Sequence, residues 1–405
     1  MKTVAVIGAG VAGPTVAMAL QLAGFEPVVY ESHPSGSEGV GAFVILHVNG
    51  IDALRAIGAD KCLDGLGFDT PQMRFRSGTG RSLGVAGTGL PLADGTVGRT
   101  IRRADLCGAL RDEALRRGID FEYGRRLADV SGVDGGVVAV FEDGARHEAD
   151  LLVGADGIKS RVRALIDPAA PPARYIPNLY ISGYARAGVV DVPPGEYQMV
   201  FGRRCFFGYT VAPGGEVWWF ANPPYPDEPS QNELRELGDA HWRATLADLL
   251  GVDPGPAGKI VEATDHELVA WPFHDIPTVS RWHRDRMIII GDAAHATSPA
   301  AGQGASMAIE DSVELGRCLR DLPDARQAFR AYEGLRRERV ERVVATGAKW
   351  STFKSVGPVA RMIRDMIMPV MLKYYAGDGG ASLGWMHHHH IEWDERVPAG
   401  PRGIV

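Results

Sequence analysis

The chain has 405 residues, of which 45% are hydrophobic and 23% are charged, and its formal net charge is -7 at pH 7. This length predicts two or three domains, each with a buried core. The acidic balance excludes a nucleic-acid partner, because phosphate binding requires a concentrated excess of Lys and Arg. The composition is typical of a soluble globular protein.

The cysteines and the N-terminal residues indicate the compartment. Four cysteines are widely spaced without a CxxC pair, so we expect reduced thiols and predict neither a zinc site nor a redox dithiol. They are Cys62, Cys107, Cys205 and Cys318. Gly8 interrupts the apolar run Val4–Ile7 before a signal peptide or a membrane span can form. We therefore expect a cytoplasmic protein with no membrane partner.

The beginning of the chain predicts a β-α-β unit. Residues 4–7 are apolar and β-branched, which is typical of a buried parallel strand. Residues 13–23 follow a helical pattern, and residues 27–31 predict a second strand. A strand, a helix and a strand within about thirty residues are the size of a dinucleotide-binding unit.

A glycine-rich motif, GAGVAG, joins the first strand to the helix. Gly8 permits a tight turn, Gly10 lets the backbone approach a pyrophosphate, and Gly13 lets helix and strand pack closely. Ala12 belongs to the same helix N-terminus, which attracts phosphate charge. Glu31, at the end of the next strand, can accept hydrogen bonds from both hydroxyls of a ribose. The motif predicts a bound dinucleotide and does not choose between FAD and NAD.

The rest of the chain predicts a second sheet inserted into the first domain. The predicted strands are residues 42–46, 151–153, 197–201, 205–211, 217–221 and 287–290. The predicted helices are residues 50–57, 103–117, 160–165, 230–250, 304–319, 324–350 and 357–375. Between about 179 and 271 the strands alternate polar and apolar residues, which indicates an antiparallel sheet. The buried strand that follows returns the chain to the first domain.

Two later motifs resemble the fingerprints of a known family. They are Gly154–Gly157 (GADG) followed by Ser160 and Arg161, and Gly291–His295 (GDAAH) followed by Pro299, Gly302, Gln303 and Gly304. With the first motif, and in this order, they are similar to the three fingerprints of the single-component aromatic hydroxylases, the para-hydroxybenzoate hydroxylase family. The resemblance covers nearly the whole chain. It implies an α/β fold: a Rossmann-type FAD-binding domain with an inserted antiparallel β-sheet substrate domain and C-terminal helices.

The resemblance also sets the expected domain boundaries. The FAD-binding domain comprises residues 1–70, 100–175 and 282–350, the substrate domain residues 71–99 and 176–281, and the C-terminal helical segment residues 351–405. No thioredoxin-like C-terminal domain is expected, so the chain is similar to the shorter members of the family.

The family implies roles for the motif residues. Gly291 and Asp292 would bind the ribityl chain of FAD, while Asp156 and Gly157 would serve both FAD and the transient nicotinamide cofactor. Arg103 matches an arginine at the start of a helix that family members place against the flavin phosphates.

The third motif is expected to face the flavin ring. Pro299 would border the isoalloxazine. A helix that begins near Gly302, Gln303 and Gly304 would direct its N-terminal N–H groups at the flavin N1 and C2 carbonyl, which stabilises the anionic reduced ring.

Two positions depart from the family pattern. Ser32 stands where many relatives have an arginine after the ribose-binding acid, and His47 lies in a segment where proline is frequent. His47 would orient or deprotonate a substrate hydroxyl, because histidine titrates near neutral pH. The alternative is a hydrogen-bonded structural histidine.

Aromatic residues of the inserted sheet offer a substrate pocket. The alternation puts Trp218 and Phe220 on one face, with Trp219 opposite. Together with Phe201 they would line a pocket for a planar, largely apolar molecule, to which Tyr209 would add a hydrogen bond. Ordinary sheet core is the alternative for each of these residues.

Three C-terminal features carry no predicted chemistry. Consecutive histidines point in different directions, so the run His387–His390 predicts no metal site. The charged residues between Glu333 and Arg342 are typical of a solvated helix surface. The apolar residues between Met362 and Met371 are expected to pack on the flavin domain rather than to contact a membrane.

These features predict an FAD-dependent monooxygenase. NADPH or NADH would reduce the flavin, and a flavin C4a-hydroperoxide formed with O2 would hydroxylate an aromatic or polycyclic small molecule, as in secondary metabolism. The alternatives are a flavin-dependent halogenase, whose WxWxIP segment the sequence lacks, or an epoxidising or dehydrogenating flavoenzyme. A monomer or a homodimer is expected.

Overall fold

The computed structural model describes residues 2–35, 43–133, 135–354, 357–377 and 383–398. The strands in these ranges are β1 Lys2–Ile7, β2 Phe25–Glu31, β3 Phe43–Leu46, β4 Phe68–Asp69, β5 Gln72–Ser77, β6 Ser82–Gly87, β7 Arg99–Arg102, β8 Asp120–Tyr123, β9 Leu127–Val133, β10 Gly136–Phe141, β11 Arg146–Ala149, β12 Leu151–Gly154, β13 Arg174–Ala185, β14 Glu196–Phe201, β15 Phe206–Val211, β16 Val217–Asn222, β17 Ala270–Asp275, β18 His283–Arg284 and β19 Met287–Ile289. The α-helices are α1 Ala12–Leu22, α2 Val48–Ala56, α3 Arg103–Arg116, α4 Arg161–Ile166, α5 Gln231–Leu250, α6 Ala257–Glu262, α7 Asp292–His295, α8 Gly304–Asp321, α9 Ala325–Thr352, α10 Pro358–Gly377 and α11 Gly384–His387.

The first sheet has the strand order β18-β19-β12-β1-β2-β8. All its pairs are parallel except β18 with β19. Residues 4–7 are buried, as expected for a strand covered on both faces. The small residues of α1 let it pack against α8, where Ala19 faces Gly316. The carboxyl ends of β1, β12 and β19 therefore meet at one edge, which is where ligands bind in open α/β sheets.

The second sheet has the order β17-β13-β16-β15-β14-β5-β6 and is antiparallel apart from the pair β14 and β5. The helix α5, which begins with a capping box between Ser230 and Glu233, covers one face. Trp219 and Trp242 are fully buried in that layer. The opposite face, which carries Trp218 and Phe220, faces β3 of the first domain.

The second sheet contains two strands that the residue pattern does not predict, within the segment 71–99 that the resemblance assigns to the substrate domain. The strands β5 and β6 join it from far upstream, and β13 begins at Arg174, two residues before the expected start of the second part of the substrate domain at residue 176. The order of strands brings residues 72–87 beside Glu196–Phe201. Polar and glycine residues in β5 and β6 hide the strand pattern in the sequence.

The C-terminal helices differ from expectation. The helix α10 packs on the edge strand β6, where a Cβ on Gly84 would lie 3.0 Å from Leu372, so the prediction that it packs on the flavin domain is wrong. Its outer side leaves large apolar side chains exposed: Val359, Met362, Ile363, Met366, Ile367, Val370 and Met371. None of the helices in the described ranges is long and apolar enough to span a bilayer.

Candidate active site

The turn after β1 is shaped by two glycines that cannot be replaced. Gly8 has a φ of 103°, and a Cβ on it would lie 2.5 Å from the Ala155 carbonyl oxygen. A Cβ on Gly13 would lie 1.9 Å from the Gly8 carbonyl oxygen. Gly10 differs, because a Cβ there would meet no atom within 4 Å. The backbone at Gly10 thus borders open space at the N-terminus of α1, where a phosphate group fits.

The carboxylate of Glu31 holds this turn in place. Its Oε2 accepts a hydrogen bond from the Ala9 N–H at 2.8 Å, and its Oε1 accepts from the N–H of His33 at 2.8 Å. The Ser32 hydroxyl also donates to Oε1, so the serine that replaces the family arginine orients the acid. Carboxylate oxygens accept more than one hydrogen bond, which leaves capacity for ribose hydroxyls.

The second motif ends β12 beside β1. Asp156 accepts hydrogen bonds from the Ser160 hydroxyl at 2.6 Å and from the N–H groups of Arg161 and Val162. Its carboxylate therefore caps α4, a role that the sequence does not reveal. Gly157 has a φ of 73° and borders open space, so the turn itself is accessible.

The third motif places an accessible carboxylate opposite the first turn. Asp292 begins α7 after Gly291, which has a φ of 57°, and a Cβ on Gly304 would lie 4.0 Å from its Oδ1. The side chain is exposed, yet desolvation by the surrounding protein raises the pKa of Asp292. The charges of His295 and Arg103 act in the opposite direction and lower it by less. The carboxylate is therefore open to solvent although protein surrounds it closely. We call the space between Gly10, Asp292 and the start of α8 the groove.

A buried charge network fixes both ends of this loop. Asp311 on α8 accepts from the Gly291 N–H at 2.9 Å and lies 2.5 Å from His295 Nε2. Arg336 on α9 lies 2.7 Å from both Asp311 and Glu310 and is fully buried. The prediction of a solvated surface is therefore wrong at Arg336, because its partners belong to another helix.

The same network reaches the start of α8. Asn49 Nδ2 donates to Gln303 Oε1 at 2.9 Å and to Glu310 Oε1 at 2.6 Å. Burial alone would raise the pKa of Glu310, but the positive charges of Arg336 and Arg339 lower it to about 2. Ionised Glu310 thus orients Asn49 and, through it, Gln303 at the start of α8.

His47 lies at this end of the groove. Its Nδ1 is 2.8 Å from the Thr88 carbonyl oxygen, which can only accept, so Nδ1 carries the hydrogen and Nε2 has a free lone pair. Nε2 is buried without a partner among the described residues, and a Cβ on Gly302 would lie 2.9 Å from it. Burial lowers the pKa of His47 to about 4, so the ring is neutral at pH 7.

The histidine run His387–His390 is folded into the protein, and three of its members have different partners. His387 stacks on His47 with ring centroids 4.7 Å apart, and His388 Nε2 accepts from the Leu90 N–H at 3.0 Å. His390 lies 2.6 Å from Asp52. No set of three His, Cys, Asp or Glu side chains in the described ranges is arranged to hold a metal ion.

The aromatic face of the second sheet meets the first domain at Phe43. Its ring centroid lies 5.5 Å from Trp218, 6.2 Å from Phe220 and 6.3 Å from Tyr184. Phe201 lies on the same face but farther out, beside Phe206 and below α10. The rings of Trp218 and Phe220 are thus brought together with β3, the strand that leads to His47.

Tyr209 is not part of this group. It pairs with Trp219 across β15 and β16, and its ring packs in the layer beneath α5. The prediction that its hydroxyl joins Trp218 and Phe220 is wrong, because successive residues of a strand point to opposite faces.

Comparison with known proteins identifies the family. A family model described as an FAD binding domain matches residues 1–346. FAD-dependent urate hydroxylase of Klebsiella pneumoniae is 30% identical, over 86% of this chain and 89% of its own. The 3-amino-4-hydroxybenzoate 2-monooxygenase of Streptomyces cremeus is 33% identical, over 84% of each chain. The chain belongs to the FAD-dependent aromatic hydroxylases.

Solved structures agree with this assignment. The Klebsiella pneumoniae HpxO protein, crystallised with FAD and uric acid, superposes on the hydroxylase with a TM-score of 0.81 at 25% identity, over 94% of this chain and 96% of its own. A salicylate hydroxylase substrate complex gives a TM-score of 0.77 at 22% identity over 96% and 95%, which shows the fold alone. The predicted family, fold class, FAD cofactor and monooxygenase class are confirmed.

The groove of the hydroxylase fits FAD. Open space at Gly10 and the accessible Asp292 suit the phosphate and ribityl portions. At the other end, buried polar atoms without a partner among the described residues are His47 Nε2, Asn49 Oδ1 and Gln303 Nε2. Buried polar atoms normally have partners, so this end of the groove is built for a polar ring system.

Several residues of the site escaped the sequence analysis. They are Phe43, Asn49, Tyr184, Glu310 and Lys354. Phe43 and Asn49 are close to His47 in the chain, which is the signal that points to them. Glu310 lies on α8 just after the third motif, but its partners Arg336 and Arg339 belong to another helix. Tyr184 and Lys354 are distant in sequence from every motif and are brought to the site only by the fold.

Proposed function

We propose that the hydroxylase inserts one atom of O2 into a planar aromatic small molecule, with NADH or NADPH as reductant. The proposed substrate space lies between β3, His47 and the aromatic face of the second sheet. The observation that carries this proposal is the contact of Phe43 with Trp218 and Phe220, which joins the two domains by aromatic walls. Such walls suit a flat ring, since stacked and edge-on contacts add to apolar burial.

The groove residues would hold FAD along its length. The turn at Gly8, Gly10 and Gly13 would take the pyrophosphate and Glu31 the adenosine ribose. Arg103, whose positive charge acts on Asp292, would neutralise phosphate charge. Bound FAD supplies reduction by the nicotinamide cofactor and activation of O2.

The third motif would position the flavin ring. Asp292 and the preceding Gly291 would contact the ribityl chain, and Pro299 would border the ring. The N–H groups at Gly302, Gln303 and Gly304 begin α8, whose N-terminal partial charge stabilises an anion. Asp156 and Gly157 form the accessible turn proposed to meet both cofactors.

His47 would orient the substrate as a hydrogen-bond acceptor. Its neutral ring with the hydrogen on Nδ1 leaves Nε2 to accept from a substrate hydroxyl or ring N–H. Stacking on His387 and the hydrogen bond to Thr88 hold the imidazole in one orientation. A fixed acceptor aligns the reacting carbon, which is the main way in which proteins accelerate such reactions.

Oxygen-18 labelling tests the proposed reaction. Purified hydroxylase reconstituted with FAD is given a panel of phenols and heteroaromatic acids, and NADH and NADPH consumption is recorded. A substrate that stimulates consumption and gains one label from labelled O2, but none from labelled water, supports the proposal. Label arriving from water alone, or a dehydrogenated product without label, would contradict oxygen insertion.

The variant His47→Gln tests the role of the histidine. We expect turnover to fall about tenfold or more and NAD(P)H consumption to become uncoupled from product, because the acceptor is displaced. His147→Gln, beside Tyr30 on the far side of the first sheet, is the matched control. Unchanged turnover and coupling in His47→Gln would remove His47 from the mechanism.

We also propose a cytoplasmic protein that acts as a monomer or homodimer. The thiols of Cys107, Cys205 and Cys318 are buried and unpaired, which suits a reducing compartment. Light scattering of the purified holoenzyme and cell fractionation test these two points; a larger assembly or a secreted protein would contradict them.

A further inference from the structure

Lys354 lies between the third motif and the second sheet. The last turns of α9 pack on the third motif, where a Cβ on Gly347 would lie 2.9 Å from Ala301 and the Ser351 hydroxyl contacts that of Ser298. Three residues after Ser351, Lys354 Nζ donates to Asn222 Oδ1 at 2.9 Å. The lysine therefore lies where the proposed flavin ring and the aromatic face converge.

The ammonium group is surrounded by aromatic rings rather than by acids. Nζ lies 4.5 Å from the ring centroid of Phe206 and 5.8 Å from that of Phe220. Among the described residues, Asn222 is its only hydrogen-bond acceptor, and no carboxylate pairs with it. An ammonium has three donors, so at least two are available. Unpaired charge at such a site is costly unless a ligand compensates it.

Asn222 is itself fixed. It is fully buried, and its amide nitrogen donates to the carbonyl oxygens of Leu179 and Ala221. These bonds turn Oδ1 toward Lys354 and hold the lysine over the rings. Desolvation lowers the pKa of Lys354 to about 8, with the nearby Cys205 thiol acting in the opposite direction. The amine therefore stays protonated at pH 7.

We propose that Lys354 binds an anionic oxygen of the substrate and so selects aromatic molecules that carry a carboxylate or an ionised hydroxyl group. This inference rests on the proposed function. Phe220 would contact the ring of such a molecule while Lys354 pairs with its charge, and Asn222 acts as a positioning residue. Cation–π contacts with Phe206 and Phe220 would keep the lysine extended when no substrate is bound.

Binding of matched probes tests the proposal without turnover. Calorimetric titrations of the FAD holoenzyme use 2-naphthoate, the neutral 2-naphthamide, and 4-nitrophenol at pH 6 and 7.5, a range in which the phenol ionises while Lys354 stays largely protonated. We expect naphthoate to bind about 10- to 100-fold more tightly than naphthamide, as for a desolvated charge pair. Stronger 4-nitrophenol binding at pH 7.5 than at pH 6 would identify an ionised hydroxyl as the preferred anion; preference for naphthoate alone identifies a carboxylate.

Two lysine variants on the same segment separate charge from structure. Lys354→Met keeps the length of the side chain and removes the charge, so naphthoate and naphthamide should then bind equally. Lys354→Arg should retain most of the preference, and the exposed Lys349→Met should retain all of it. A preference that survives in Lys354→Met, or its absence in the wild type, would overturn the proposal.

The outcomes distinguish this inference from the proposed function. If naphthoate and naphthamide both bind with equal affinity and the oxygen-18 experiment succeeds, only the role of Lys354 is lost. If none of the three probes binds, the aromatic pocket itself is contradicted, and the inference falls with it.

Discussion

Three glycines of one motif differ in what a side chain would meet. A Cβ at Gly13 would collide with the Gly8 carbonyl oxygen, whereas a Cβ at Gly10 would enter open space. Gly13 is therefore required by the fold, whereas Gly10 is required by the ligand that occupies the groove. The sequence motif does not separate these two requirements.

Substitution of these glycines provides a direct test. Gly13→Val should lower the free energy of unfolding of the FAD-free protein by about 3 kcal/mol or more, because backbone atoms must move. Gly10→Val should change it by less than about 0.5 kcal/mol but weaken FAD binding at least tenfold. Thermal unfolding and flavin fluorescence titration measure the two effects. Normal FAD affinity in Gly10→Val would mean that the pyrophosphate lies elsewhere.

Stacked histidines make stability depend on pH. Burial lowers the pKa of His47 to about 4 and that of His387 to about 2, below the usual 6.5 of the unfolded chain. The unfolded chain therefore binds more protons below pH 6.5, and stability is lost as the pH falls from 6.5 toward 4. At pH 5 each histidine contributes about 2 kcal/mol of this loss.

Urea unfolding at pH 7 and pH 5 measures the effect. His387→Phe keeps an aromatic ring on His47 and should reduce the difference between the two pH values by about 2 kcal/mol. The exposed His33→Phe serves as the control and should leave the difference unchanged. The same pH dependence in His387→Phe and the wild type would contradict a neutral buried His387.

At the scale of elements, α8 and α9 are joined by buried charge. Arg336 contacts Glu310 and Asp311, which in turn hold Asn49 and the Gly291 N–H. A sequence-based interpretation fails here for a physical reason: arginines and glutamates at helical spacing are usually solvated, and only the packing of two helices shows that one arginine is enclosed.

Removal of this arginine should be strongly destabilising. Arg336→Met leaves Glu310 and Asp311 buried without their shared cation, which we expect to cost about 3–5 kcal/mol of unfolding free energy. Arg330→Met, at an exposed position of the same helix, should cost less than about 0.5 kcal/mol. Chemical denaturation of both variants measures the difference, and similar values would contradict the network.

The sequence predicts the positions of strands and helices more accurately than it predicts which strands pair with each other. The strands and helices that the residue pattern predicts begin and end within two residues of those in the structure, because periodicity and glycine stops are local signals. The strands β5 and β6 were missed because QMRFRS and SLGVAG lack a continuous apolar pattern. The register of β15 against β16, which places Tyr209 away from Phe220, is not a local property either.

For the whole molecule, three motifs identified the cofactor, but the substrate side depends on long-range contacts. Lys354 and Asn222 are 132 residues apart in the chain. Phe43 and Trp218 are similarly distant, and nothing near either residue indicates the contact. Glycine motifs are recognisable because backbone conformation constrains the residue type; pocket walls accept many residue types and so leave little trace in one sequence.

The proposed FAD site is formed by segments from distant parts of the chain, so FAD binding should stabilise the entire folded protein against unfolding. FAD at a hundred times its dissociation constant should add about 2.7 kcal/mol to the unfolding free energy. The melting temperature should rise with FAD concentration, and Gly10→Val should show a smaller rise at the same concentrations. A melting temperature independent of FAD would contradict binding to the folded state.

The run His387–His390 has a practical consequence for purification. His387 is buried, His388 is bonded to the Leu90 amide and His390 is paired with Asp52. Because three of the four imidazoles are engaged in the fold, the native enzyme should be retained less strongly on immobilised nickel than the urea-unfolded chain. Elution from a chelating resin would then serve as a simple assay of whether this part of the protein is folded.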